Sequence, residues 1–329
     1  MLRTAAFMAF FLAAWPTVQG CAPAPQGGGS ASAQRTATPR PGTTVVALEF
    51  MESFENEPSA AYYPFAGLAG CAYTDDGTLV VCDEDRGKVH GFDPSNRRWY
   101  EFDTPAARPY RPIDALTDGF KVLVLDRGGQ AIYRFNLGGS YLDRLLDVRT
   151  VDPAVRTEPS AFAMDRDGRM IIADVAEQQL LLLDTFLEPT MRLGDPGVGD
   201  DQFSDPVGVV FLPDGSIVAS DRGNRRLVLY GRLGFYEQSI GGDIERDNHF
   251  GAPQGLAVDL HGNLFVADRG NGLIHVLDRR LRHLFSAGPD VALAGIPLAP
   301  MDVAVGPDRT LAVTDRARRA VLVFRIIYE

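Results

Sequence analysis

Four arginines stand directly after an aspartate that ends an apolar run: Arg127, Arg222, Arg269 and Arg316, with Arg86 close by in the first such stretch. Guanidinium groups brought together in this way offer permanently charged, planar forks that suit carboxylates and phosphates. The same side chains could instead pair with acids on neighbouring elements and staple them. A second set is Asp114 and Asp302, which could hold a cation or pair with arginine, or serve the fold alone. The five histidines are His90, His249, His261, His275 and His283. They fall in unrelated turns and strands, so no metal site, no cofactor and no catalytic residue is expected.

The elements that position these residues come from an internal repeat. Six apolar runs end at Asp83, Asp126, Asp174, Asp221, Asp268 and Asp315, at intervals of 43, 48, 47, 47 and 47 residues. An aliphatic residue follows six positions later in every case: Val89, Ile132, Leu180, Leu227, Ile274 and Val321. Pro112, Pro159, Pro206, Pro253 and Pro300 open five of the units, with Leu68 in that place in the first. Each unit therefore reads as a strand a after the proline, a glycine turn, a strand b ending at the aspartate, a strand c and a weaker strand d. Four antiparallel strands in about 47 residues describe one blade of a propeller.

The fold class is all-β: a six-bladed β-propeller with the N-terminal strand closing the last blade. The sixth unit ends after strand c, and the run Thr44–Phe50 has no place in the first, so it is expected to pair near Ala320–Arg325. The repeated aspartates accept hydrogen bonds from the turns that follow, a need common to every blade. Two residues after the proline position the ring reads Gly70, Asp114, Ala161, Gly208, Gly255 and Asp302, facing the channel. The b–c turns, with the arginines, share one face, and the a–b and c–d turns share the other.

The stretch Leu193-Gly194 through Gln202-Phe203, Pro206-Val-Gly208, Asp214-Gly215, Asp221 and Asn224 to Leu227 resembles an NHL repeat. Pro253 through Asn271 resembles it as closely, and the likeness extends over residues 44–329. The resemblance implies the propeller fold. Among NHL-like proteins are lyases with a histidine-held zinc, but only His249 stands where that pattern asks for a ligand, so no zinc is carried over.

Residues 1–20 read as a signal peptide: Arg3, then a short apolar run from Ala5 to Trp15. Val18-Gln19-Gly20-Cys21 resembles a bacterial lipobox, which makes Cys21 the lipidation site and implies export with a membrane anchor. Residues 21–43 form a flexible linker, and Ala22 favours the outer membrane, facing the periplasm or the cell surface. The whole chain carries 32 Lys+Arg against 43 Asp+Glu, and the acids all lie after residue 43. That acidity excludes non-specific nucleic-acid binding. Cys71 and Cys82 sit across the first hairpin, where they either form a disulfide or pack as free thiols. The expected function is binding or scaffolding of a protein, peptide or anionic glycan. The alternative is a lyase- or lactonase-type enzyme with a divalent cation at the channel mouth.

Overall fold

Strand b of every repeat is apolar without alternation because each blade is sandwiched between two others, and both of its faces are covered. In the computed structural model Leu79–Asp83, Met170–Asp174, Ile217–Asp221 and Leu264–Asp268 are buried at every position. Outer strands such as Tyr141–Asp147 and Tyr236–Gly241 keep exposed polar positions. The structure describes residues 42–54, 65–106, 110–241, 249–288 and 298–329. The signal peptide, Cys21 and nearly all of the linker lie outside the described residues.

Six four-stranded antiparallel sheets follow one another along the chain. Six hydrophobic clusters fill the gaps between them, one per gap, from blades one and two (Val80, Val122, Phe135) round to blades six and one (Leu68, Val81, Ala312). The ring is closed by the N-terminal strand, as expected. Val45–Phe54 runs antiparallel to Ala320–Tyr328, with Phe50 opposite Phe324 and Phe54 opposite Val321. The closing strand is longer than expected, and it seats Val45 and Leu48 in the gap between blades five and six.

The repeated aspartates do what their repetition suggested. Asp83 accepts from the backbone N–H groups of Ala66, Gly67 and Arg86, and Asp268 from those of Gly251, Ala252, Gly270 and Asn271. Each ties the entry of strand a to the b–c turn of its own blade. His275 Nε2 lies 3.1 Å from Asp268 and is absorbed in that framework.

The first hairpin sets its two cysteines apart. A four-residue turn would set Cys71 opposite Cys82. Instead Thr74–Thr78 makes a five-residue turn, closed by Thr74 N–H to Thr78 O at 2.9 Å, and Tyr73 pairs with Leu79. Cys71 then faces Val81. A one-residue slip sends neighbouring side chains to opposite faces of the sheet. Cys71 packs between blades six and one, Cys82 between blades one and two, and both are free, buried thiols.

Candidate functional site

The innermost strands surround a central channel, whose cavity of about 430 Å³ opens on the b–c turn face. Strand a of each blade lines it, and glycines let neighbouring inner strands approach closely. A Cβ at Gly70 would run into the Asp114 backbone, one at Gly208 into Gln254 O, and one at Gly255 into the Asp302 carboxylate. Side chains stitch one blade to the inner strand of the next: Ser160 Oγ donates to Pro206 O at 2.7 Å, and Ser220 Oγ to Gln254 O at 2.6 Å. Thr314 Oγ1 donates to Ala69 O at 2.6 Å and joins blade six to blade one.

Asp114 and Asp302 belong to this stitching. Asp114 Oδ2 accepts from Phe162 N–H of blade three at 3.0 Å, and Oδ1 from Ala115 N–H at 2.8 Å. Asp302 Oδ2 accepts from Cys71 N–H of blade one at 2.8 Å. Both also line the cavity. Burial pushes the Asp114 carboxyl up to about 7. It pushes Asp302 well above the ordinary range too, and the nearby Asp114 adds to that rise. Among the described residues no group of three or more His, Cys, Asp or Glu is placed to hold a metal.

At the mouth, the position after the repeated aspartate holds Glu84, Arg127, Val175, Arg222, Arg269 and Arg316, and all six line the cavity with Glu158. The ring is uneven because blade one carries Glu84 and blade three Val175 where the other four carry arginine. Glu84, buried beneath the rim, accepts from Arg111 at 2.7 Å, Arg127 at 3.1 Å and Arg316 at 3.3 Å. Arg316 also reaches Asp85 at 3.0 Å. Three guanidinium groups from blades two and six thus converge on one carboxylate of blade one. Arg222 is held by Asp205, just ahead of its own blade, with its Nε at 2.6 Å. Arg269 is exposed and has no ion-pair partner among the described residues. Arg86 stands apart, 3.6 Å from Asp83, beside a separate groove formed with Asp85, Tyr110 and Arg111.

The expected arginine cluster therefore splits into two parts. Arg127 and Arg316 link blades through Glu84, while Arg222 and Arg269 face the cavity from blades four and five. Glu84 and Arg111 were absent from the sequence-based site. Glu84 was legible as the one acid at a position held by arginine in four of the six repeats, but its convergence with Arg111 needed the fold.

No family model matches the chain, and no curated protein sequence does. Solved structures of similar fold are many. Virginiamycin B lyase from Staphylococcus aureus superposes with a TM-score of 0.63 at 10% identity, over 85% of this chain and 100% of that one. A gluconolactonase of Xanthomonas campestris gives 0.62 at 17%, over 87% and 99%. Regucalcin of Agrobacterium tumefaciens, described as a calcium-binding protein, gives 0.61 at 15%, over 85% and 95%. The chain is a six-bladed β-propeller. At these identities the likeness carries the fold alone.

Proposed function

We propose that this protein is an exported, lipid-anchored binding propeller of NHL-like repeats. Its channel mouth captures an anionic group presented by a protein, peptide or glycan. The observation that supports this reading is the split of the arginines. Glu84 engages three guanidinium groups on one side of the rim and Asp205 holds Arg222, while Arg269 on blade five is exposed with no ion-pair partner among the described residues. A carboxylate entering there would meet the Arg269 fork, beside the Asp205-held Arg222, above an uncharged wall of Val209, Val210 and Leu256.

A second reading is an enzyme of the kind found among the similar folds, with Asp114 as the proton-transferring group. A carboxyl near 7 in a channel wall suits that role. Both of its oxygens, however, already accept from backbone N–H groups, which favours the binding reading.

The two arginine pairs provide the test. Arg222→Glu with Arg269→Glu is expected to reduce capture of the native partner from envelope extracts at least tenfold, with little change in thermal stability. Arg127→Glu with Arg316→Glu places two acids against buried Glu84 and is expected to cost about 3 kcal/mol of stability. Capture that survives the first change would remove the mouth as the binding surface.

A further inference from the structure

Six large apolar side chains among the described residues are between 71% and 84% exposed: Phe120, Phe186, Val198, Leu233, Phe235 and Leu260. Five of them, all except Val198, sit at turn tips on one face. Phe120 and Leu260 are in the a–b turns of blades two and five. Phe186 is in the c–d turn of blade three, and Leu233 and Phe235 are in that of blade four. Contacts between turns make this a single surface. Arg169 of blade three's a–b turn donates to Arg232 O in blade four's c–d turn, and Arg232 pairs with Asp167. The a–b turn glycine Gly262 lies against Pro213 and Arg279, from an a–b and a c–d turn respectively. Hairpin geometry does not ask for phenylalanine or leucine at such tips; it is set by the adjoining glycines and aspartates. Val198 is on the opposite face, where Gly197 O accepts from Asn224 of a b–c turn.

The chain reaches the propeller on the face that carries the five tips. Thr43 O accepts from Asn263 Nδ2 at 2.9 Å in the a–b turn of blade five, three residues from Leu260. Thr44 and Glu329 exchange backbone hydrogen bonds beside it. A lipid on Cys21 would therefore pull on this face through a linker of roughly 25–30 Å root-mean-square span.

We infer that the a–b/c–d face lies on the anchoring bilayer, with Phe120, Phe186, Leu233, Phe235 and Leu260 dipping into the boundary between headgroups and acyl chains. This rests on the lipid-anchor reading above. The tips are spread over four blades, which suits a fluid surface better than the shaped face of a protein. Charges beside them are mixed, with Lys121, Arg166 and Arg232 near Asp118, Asp167 and Glu188, so the contact is apolar in character and insensitive to salt. The lipid on Cys21 would hold the protein at the bilayer, and the tips would set which face rests on it. The b–c turn mouth then points away from the membrane.

The experiment uses the full lipidated chain on phosphatidylcholine vesicles with brominated acyl chains. Tryptophan reporters are introduced singly as Phe186→Trp, Phe235→Trp and Val198→Trp. Emission at the first two positions is expected to fall about twofold or more relative to unbrominated vesicles, while the third is unchanged. Equal emission at 186 and 235 while the protein floats with the vesicles overturns the inference, as does equal quenching at all three. Protein that does not float shows that the anchor reading has failed, and the membrane face falls with it. If Phe186→Ser with Phe235→Ser releases a co-purifying protein and the reporters stay unquenched, the face belongs to a protein partner and the inference is overturned.

Discussion

A chain that begins at residue 55 is expected to lose its cooperative unfolding transition and to aggregate at concentrations where the parent stays dispersed. Removing Val45–Phe54 strips the partner from Ala320–Tyr328 and leaves a nine-residue edge of unpaired backbone groups. Such an edge templates pairing with other chains. Burial is lost as well: Val45 and Leu48 leave the gap between blades five and six. Phe50 leaves the Phe324 ring, 5.8 Å away, and Phe54 leaves Phe92 and Trp99, at 4.6 and 5.4 Å. Four apolar side chains at about 1.5–3 kcal/mol each approach the whole margin by which a domain is stable. Calorimetry and size-exclusion chromatography read the outcome. A monomeric truncated chain that melts within a few degrees of its parent would show that the ring does not depend on this strand.

The second large effect is a dependence on pH. Asp114, pushed up to about 7, and Asp302, also raised, are both held by backbone N–H groups of the next blade. A carboxyl whose folded value lies above its unfolded one binds its proton more tightly in the native state. Its stabilising contribution is therefore full below about pH 4 and is lost as the pH rises through about 7. For Asp114 alone that contribution is at most ~4 kcal/mol. The protein is thus expected to melt several degrees lower at pH 8 than at pH 5. Asp114→Asn, which keeps an acceptor and removes the charge, should narrow that gap and melt no lower than the parent at pH 8. A substituted protein with the parent's full pH dependence would mean that Asp114 is ionised in the folded ring.

Much of this molecule is written in its period. Strand b is apolar on both faces because blades stack, so each one announces itself as a run ending in Asp, and six evenly spaced runs imply a ring. The missing strand after Tyr328 and the surplus strand before residue 51 could be matched for the same reason. What the sequence hides is whatever depends on counting single residues or on non-local partners. The first hairpin turn takes five residues instead of four, and that alone separates Cys71 from Cys82. Asp114 and Asp302 were visible as departures from glycine, yet their acceptor roles depend on N–H groups 48 and 231 positions away. The arginines looked equivalent until the burial of Glu84 divided them.

The central claim, that the b–c turn mouth is where a partner docks, is tested most directly by photocrosslinking in the native envelope. Val175 is the one uncharged residue of the rim and lines the cavity, so a photoreactive side chain there disturbs no ion pair. The account predicts a crosslinked partner from position 175, lost at high salt and lost with Arg222→Glu and Arg269→Glu, and none from position 120 on the opposite face. A partner crosslinked from position 120 and not from 175 would contradict it.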